Sequence, residues 1–458
     1  MRPANRRLLL FGVLMVSFMA LWSAAAPAWA LERFPPPDFS THKLPTTEVP
    51  PPLPAWREYL DFGLLLGALG LATYLALVRR WRAGLLMLTV GSLVWFGFVR
   101  EGCVCPIGAT QNVTLALCDG AYAIPWVIVA FFVAPVLVAL FFGRTFCAAV
   151  CPLGAVQELV ILNPKQLPRW VDQVFGLLAF VYLGLGVALA AIGAAFVICR
   201  YDPFVALFRR EGTLNIFVIA GCFLVVGLFI GRPYCRFLCP YGAILGLVSK
   251  VSQWQTRITP TDCIQCRLCE EVCPYGAIRP PTVPPSPAER RRGRTRLGLA
   301  LLFLPVLIGA GLWLGQWLKT PLARVHPTVR LAERIFEEDT GRVQGATDAS
   351  DAFRNSGQTR EKLFTEAETI VGRARLAGIL LGGWVGLVIG GKLVQLNIRR
   401  RRNDYTADPA KCVSCGRCYR YCPREQERLG LTPTYLVNVT PPAAETETNQ
   451  SVGQALRA

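Results

Sequence analysis

The chain has 458 residues, 53% of them hydrophobic and only 17% charged, with 48 Lys and Arg against 30 Asp and Glu. So few charges exclude an ordinary soluble protein of this size. Its 17 Cys and 2 His also exclude a membrane cytochrome b, which needs axial His pairs inside its helices, because His42 and His326 lie outside every apolar run. Thiolate-ligated metal is the better expectation.

In chain order, MRPANRR is a basic n-region, LLLFGVLMVSFMALW an apolar stretch, and SAAAPAWA ends in a small-x-small site at Ala28 and Ala30. Residues 1–30 therefore read as a secretory signal peptide, and 31–57 as an extended, Pro-rich linker outside the cytoplasm. Seven apolar runs follow, at roughly 62–78, 83–99, 123–142, 173–197, 214–230, 297–317 and 376–396, each near the ~20 residues a bilayer core requires. The expected fold class is an all-α polytopic membrane protein of about seven transmembrane helices. With that topology the inner segments hold 30 Lys and Arg against 12 Asp and Glu, and the outer ones 17 against 18. The basic excess, including RRRGRTR at 290–296 and RRRR at 399–402, thus marks the cytoplasmic side rather than a nucleic-acid surface.

Residues 58–252 form the expected five-helix membrane domain. At its outer side lie Cys103, Cys105 and Cys118, with Cys199 after the fourth run. An oxidising compartment favours disulfides among them, and a metal-binding relay is the alternative. Cys222, inside a span, reads as packing. GRTFCAAVCPLGA at Gly143 to Ala155 and GRPYCRFLCPYGA at Gly231 to Ala243 repeat one pattern at the inner ends of two spans. Cys147/Cys151 and Cys235/Cys239 are i,i+4 pairs, each followed by a helix-starting Pro, with Arg144 and Arg232 nearby to favour ionised thiols. Four such thiolates suit a metal or a further cluster.

Two runs then repeat C-x2-C-x2-C-x3-C-P, the spacing that holds a [4Fe–4S] cluster. The first (253–296) carries Cys263, Cys266, Cys269 and Cys273; the second (397–430) carries Cys412, Cys415, Cys418 and Cys422. In two-cluster ferredoxins the fourth Cys ligates the other cluster, so Cys422 is expected to join the first three and Cys273 the second three. That requires the spans at 297–317 and 376–396 to bring both halves into one split cytoplasmic module with two [4Fe–4S] clusters. Zinc is disfavoured, because its sites use paired C-x2-C units. Between the spans, 318–375 is an outer segment whose TVRLAERIFEE reads as an amphipathic helix, and 431–458 reads as a disordered tail.

Paired C-x3-C-P motifs at membrane-helix ends, followed by ferredoxin runs on the same side, resemble the NosR/NirI-type and NapH/CcoG-type membrane polyferredoxins. The resemblance covers roughly Trp95 to Pro281 and the C-terminal run. It implies a membrane iron–sulfur protein passing electrons between a quinol or cytoplasmic donor and an extracytoplasmic or metal-linked acceptor, with partner subunits and not as a stand-alone catalyst. It also implies that the eight ferredoxin cysteines are cluster ligands, and it matches Cys147, Cys151, Cys235 and Cys239 to the family's membrane motif. NosR-like proteins carry an outer flavin domain before the spans, where this chain has only the linker. QGATDAS around Thr347 is similar to a covalent flavin site but lacks the preceding Ser/Thr and the upstream Asp, so no flavin is expected. The alternative function is a copper-binding or copper-reducing assembly factor, since soft thiolates suit Cu(I).

Overall fold

The computed structural model describes residues 54–102, 106–258, 263–282, 284–398 and 400–430. The expected signal peptide, all but the end of the linker, Cys103, Cys105 and the tail lie outside these residues. Five helices are long and apolar enough to cross a membrane: α1 (Trp56–Val78), α2 (Arg82–Val99), α6 (Arg169–Ile192), Pro287–Ala323 and α13 (Arg360–Asn397). Each covers one of the expected spans. The other two expected spans are shorter than anticipated. α4 (Trp126–Phe142) has 17 residues, and α8 (Leu214–Gly227) has 14 and is bent by 112° from α7 (Pro203–Arg209). At 1.5 Å per residue they measure ~26 and ~21 Å, less than the ~30 Å core. Both stop early where the chain turns into a C-x3-C-P motif, at Gly143 (φ 72°) and near Gly231.

Two segments expected as outer loops instead fold back into the bundle. α3 (Pro106–Cys118) buries its first six residues and packs on α4 and α6, and α7 buries Phe204 and Phe208. Phe208 fills the space over Gly97 and Gly102, where added Cβ atoms would lie 3.2–3.3 Å from its ring. Both helices open with Pro at their first turn, so nothing is lost by the missing N–H.

Helix α10 (Pro287–Gly315) and α13 form a hairpin built on small residues. Gly378, Gly382 and Gly386 recur every fourth residue on α13 and face Gly315, Gly311 and Leu307 of α10. A Cβ on Gly382 would lie 2.0 Å from the Gly311 carbonyl oxygen, so only glycine lets the two backbones meet. The bundle side of α13 packs on α6, where Trp384 covers Gly184 and donates to the Phe180 carbonyl at 2.8 Å.

At one end of the bundle α11 (Pro327–Asp339) and α12 (Asp348–Asn355) fold against the start of α13. Val329, Ala332 and Ile335, on one face of α11, join Phe353, Leu363 and the α6 residues Leu189 and Ile192 in a small core. This is the amphipathic helix expected from the sequence. Thr347 caps α12, its hydroxyl accepting from the Ser350 N–H at 3.3 Å.

At the opposite end the two ferredoxin runs meet. Strand β1 (Ile278–Arg279) pairs antiparallel with β2 (Thr406–Ala407). Arg279 bonds Asp408 at 2.7 Å beside them, and the Thr282 N–H reaches the Arg402 carbonyl. Tyr275, Ile278, Tyr405, Val413 and Tyr419 form a core shared by both halves.

Candidate functional site

Each ferredoxin run bends its backbone left-handed at equivalent places. Gln265 (φ 54°) and Arg267 (φ 65°) flank Cys266, as Ser414 (φ 55°) and Gly416 (φ 79°) flank Cys415. Three of these are not glycine, and each such position costs on the order of 1–2 kcal/mol. The loops therefore hold a shape that turns successive thiols to one side. Cys263, Cys266, Cys269 and Cys422 line a single small cavity with Ile258, Tyr405 and Arg424. Cys418 neighbours Cys412, Cys415 and Cys273. The structure thus brings the two thiol sets together with the fourth cysteine exchanged between runs. Cys269 of the first set also neighbours Cys418 of the second, so the sets adjoin. Burial pushes the free Cys269 and Cys412 thiols up to about 12. Thiols gathered in this way need cations in their midst to become thiolates, as cluster iron would supply.

The C-x3-C-P motifs are assembled as reciprocal halves. Cys151 and Cys239 are the N-caps of α5 (Pro152–Leu159) and α9 (Pro240–Val248), and the Cys239 sulfur accepts from the Gly242 N–H at 3.2 Å. Arg232 of the second motif crosses to the first. Its guanidinium donates to the carbonyls of Cys147 and Ala148 and lies over Gly154, where a Cβ would be 2.9 Å from Nη1. Arg144 of the first motif lies over Gly242 in the same way, 3.3 Å from its Cβ position, and donates to the Ala410 carbonyl at 2.9 Å. This exchange explains the shared Arg and Gly of the repeat. Gln157 on α5 donates to the Cys235 sulfur at 3.2 Å and accepts from the Tyr234 N–H at 3.1 Å. Hydrogen bonds to sulfur of this kind tune a cluster's potential.

Cys147, Cys151, Cys235 and Cys239 together line a cavity of about 170 Å³, into which Ile107 at the start of α3 also projects. Among the described residues, no three His, Cys, Asp or Glu side chains are gathered tightly enough for one metal ion. Cys147 also packs against the ferredoxin core, so the quartet abuts the Cys412 set.

Of the four outer cysteines, the described residues include Cys118 and Cys199. The Cys199 sulfur packs on Gly108, 2.8 Å from where its Cβ would be. Cys118 is exposed at the far end of α3, ten helical residues from Gly108 and therefore ~15 Å away. Cys118 and Cys199 are therefore too far apart to share a disulfide or one metal, and Cys103 and Cys105 lie outside the described residues. Cys222 is half-buried in α8, as a packing residue would be.

The buried acids escape the sequence reading, Glu158 and Asp202 among them. Glu158, four residues after Gly154, accepts from Arg82 (3.3 Å), Arg232 (3.2 Å), Arg417 (2.9 Å) and the Tyr275 hydroxyl. Burial alone would raise this carboxyl, but Arg232, Arg417, Tyr275 and Arg82 outweigh it and hold it at about 2. The hub ties the membrane bundle to both ferredoxin runs. Asp202, before α7, is buried as well.

A bundle of apolar helices carrying ferredoxin-type thiol sets at one end is a membrane iron–sulfur protein. The sequence comparisons agree. A 4Fe-4S binding domain family matches residues 124–169 and 213–258, which contain the C-x3-C-P motifs, and a second matches 256–279 and 405–426, the ferredoxin runs. An uncharacterised protein of Methanocaldococcus jannaschii is 30% identical over 190 residues, 40% of this chain and 77% of that protein. YccM of Escherichia coli, whose name assigns it to electron transport, is 30% identical over 37% of this chain and 52% of its own length. NirI of Paracoccus denitrificans is 32% identical over 47% of this chain and 34% of its own. The chain belongs to the ferredoxin-type membrane electron-transport family that these proteins share. It spans about half of YccM and a third of NirI. No solved structure matches it.

Proposed function

We propose that the chain conducts electrons through the membrane along three adjoining thiolate sets. Cys263, Cys266, Cys269 and Cys422 hold the [4Fe–4S] cluster farthest from the bundle, and Cys412, Cys415, Cys418 and Cys273 hold the next. Cys147, Cys151, Cys235 and Cys239 hold a third cluster at the head of the bundle. The observation that carries this reading is the packing of Cys147 against the ferredoxin core, which puts the membrane set in contact with the ferredoxin module. The chain's own contribution is positional. The paired Arg144 and Arg232 lock the two C-x3-C-P halves face to face, and the buried cations offset the negative charge an added electron brings. The basic excess supports a cytoplasmic ferredoxin end, with a quinol or cytoplasmic donor on that side and an extracytoplasmic redox subunit on the other.

Anaerobically purified protein should contain about twelve iron atoms per chain, four for each [4Fe–4S] cluster. Cys239→Ser should remove about four of them and leave the EPR signals of the ferredoxin pair in place. Eight iron atoms in the intact protein, unchanged by that substitution, would refute the third centre. Copper assembly is the competing function. It predicts stoichiometric copper with the quartet as its site, and copper in place of the third set of iron would decide for it.

A further inference from the structure

Among the described residues Asp61, Glu158, Asp202 and Glu425 are buried and Asp172 is half-buried, and of these all but Asp202 face cations, Glu425 meeting Arg80 and Arg428. Asp61 pairs with Arg100 at 2.8 Å, Glu158 with its three arginines, and Asp172 with Arg236 at 2.6 Å and Lys411. Asp202, only 2% exposed, has no cation partner among the described residues. Its Oδ1 accepts from the N–H groups of Phe204 and Val205 at 2.9 and 3.1 Å, and its Oδ2 from the Tyr234 hydroxyl at 2.6 Å. An N-cap needs only the first two bonds. The third comes from the residue immediately before Cys235. Tyr234 and Tyr182 each lie near both Asp202 and Cys239, and Tyr182 also neighbours Cys199. Phe204 and Phe223 pack on the Tyr234 ring, and the nearby Gln111 of α3 is neutral. Among the described residues, the ionisable groups that face the carboxyl are tyrosines, with cysteines beyond them, and no fixed charge answers its own.

We propose that Asp202 is a redox-linked proton site, protonated when an electron reaches the quartet. This rests on the quartet holding a redox centre. An uncompensated charge in a low-dielectric interior is costly, and a second negative charge nearby makes it costlier. Proton uptake cancels that increase. One electron enters from the ferredoxin module, one proton leaves bulk water, an O–H bond forms on the carboxyl, and the net charge around the quartet is unchanged. Electron arrival and proton uptake are thereby coupled on the side of the quartet away from the ferredoxin module.

The test is a redox titration of the quartet centre, followed by EPR, in the detergent-solubilised full chain at several pH values. In the native protein the midpoint potential should fall with pH by about 59 mV per unit, the one-electron equivalent of a tenfold change in proton activity. In Asp202→Asn, which keeps the backbone caps, the slope should vanish with iron content unchanged. In Tyr234→Phe the carboxylate loses a donor, so the sloping range should move to higher pH. Independently of any variant, infrared difference spectra of the native chain should gain a protonated-carboxyl C=O band on reduction. A pH-independent potential, a slope that survives Asp202→Asn, or no carboxyl band would overturn the proposal. Iron analysis finding only the ferredoxin pair would instead remove the quartet reading itself, and this proposal with it.

Discussion

At the residue scale, Glu158 shows how one buried charge positions a whole module. Its carboxylate meets guanidinium groups from three separate segments, α2's start, the second C-x3-C-P motif and the second ferredoxin run, plus Tyr275 of the first run. Glu158→Gln leaves three buried or half-buried arginines around a neutral amide, a loss of about 3–5 kcal/mol for a broken buried pair. The variant should show a lower thermal unfolding midpoint and lose iron from both ferredoxin sets. Glu158→Gln protein with unchanged midpoint and iron would show the hub to be incidental. The pH dependence has a definite sign. The folded carboxyl lies at about 2, below its ordinary value of 4.5, so its contribution is complete above ~4.5 and is lost as pH falls through about 2. In Glu158→Gln that acid-dependent component should disappear from the stability profile. Sequence alone placed the twelve ligand candidates by spacing, yet it could not show this contact. Its partners lie 74, 76, 117 and 259 residues away, and nothing local announces them.

At the element scale, the hairpin of α10 and α13 carries the second ferredoxin run to the first. Its register is set where Gly382 touches Gly311 backbone to backbone. Gly382→Leu must push the helices apart, at more than the ~1–3 kcal/mol of ordinary overpacking, because the obstacle is backbone rather than a movable side chain. Both clusters should be lost together in that variant, since each draws a ligand from either side of the hairpin. Gly391→Leu, on the same helix with nothing within 4 Å of its Cβ position, should retain them. Iron quantitation of the two variants decides it; equal iron in both would refute the role of the contact. The hydrophobic runs made these two helices legible in the sequence, because a length near 20 residues is itself the signal. The same rule misread α3 and α7. Each is too short to span, so neither reached the length threshold, and their burial depends on partners such as Gly97, Gly102 and Phe208 that meet only in three dimensions. The shortness of α4 and α8 was hidden for the converse reason. Apolarity continues through the turn into Gly143 and Gly231, while the helix does not.

At the scale of the whole molecule, the folded-back helices change the distance problem of crossing a bilayer. A core of ~30 Å would separate a cluster at one surface from any acceptor beyond the other. α3 begins at the quartet cavity and runs away from it, and Cys199 and Asp202 lie on the matching turn before α7. The material between quartet and far surface is therefore protein built from short helices with buried polar groups, and not lipid-spanning helix alone. The direction of this arrangement rests on charge asymmetry, which a labelling experiment can check. Cys118 is exposed at the end of α3 away from the quartet cavity, and Cys266 is exposed in the first ferredoxin run. If the ferredoxin end is cytoplasmic, a membrane-impermeant maleimide added to intact cells should label Cys118, and Cys118→Ser should abolish that labelling. Cys266 should react only after the membrane is opened and the iron removed, because cluster ligation would otherwise hold it as an iron-bound thiolate. Labelling of Cys266 from outside, with Cys118 protected, would invert the topology. The direction of basic asymmetry would then have to be attributed to the ferredoxin docking contacts, in which Arg80, Arg82, Arg232 and Arg417 already take part, and not to insertion.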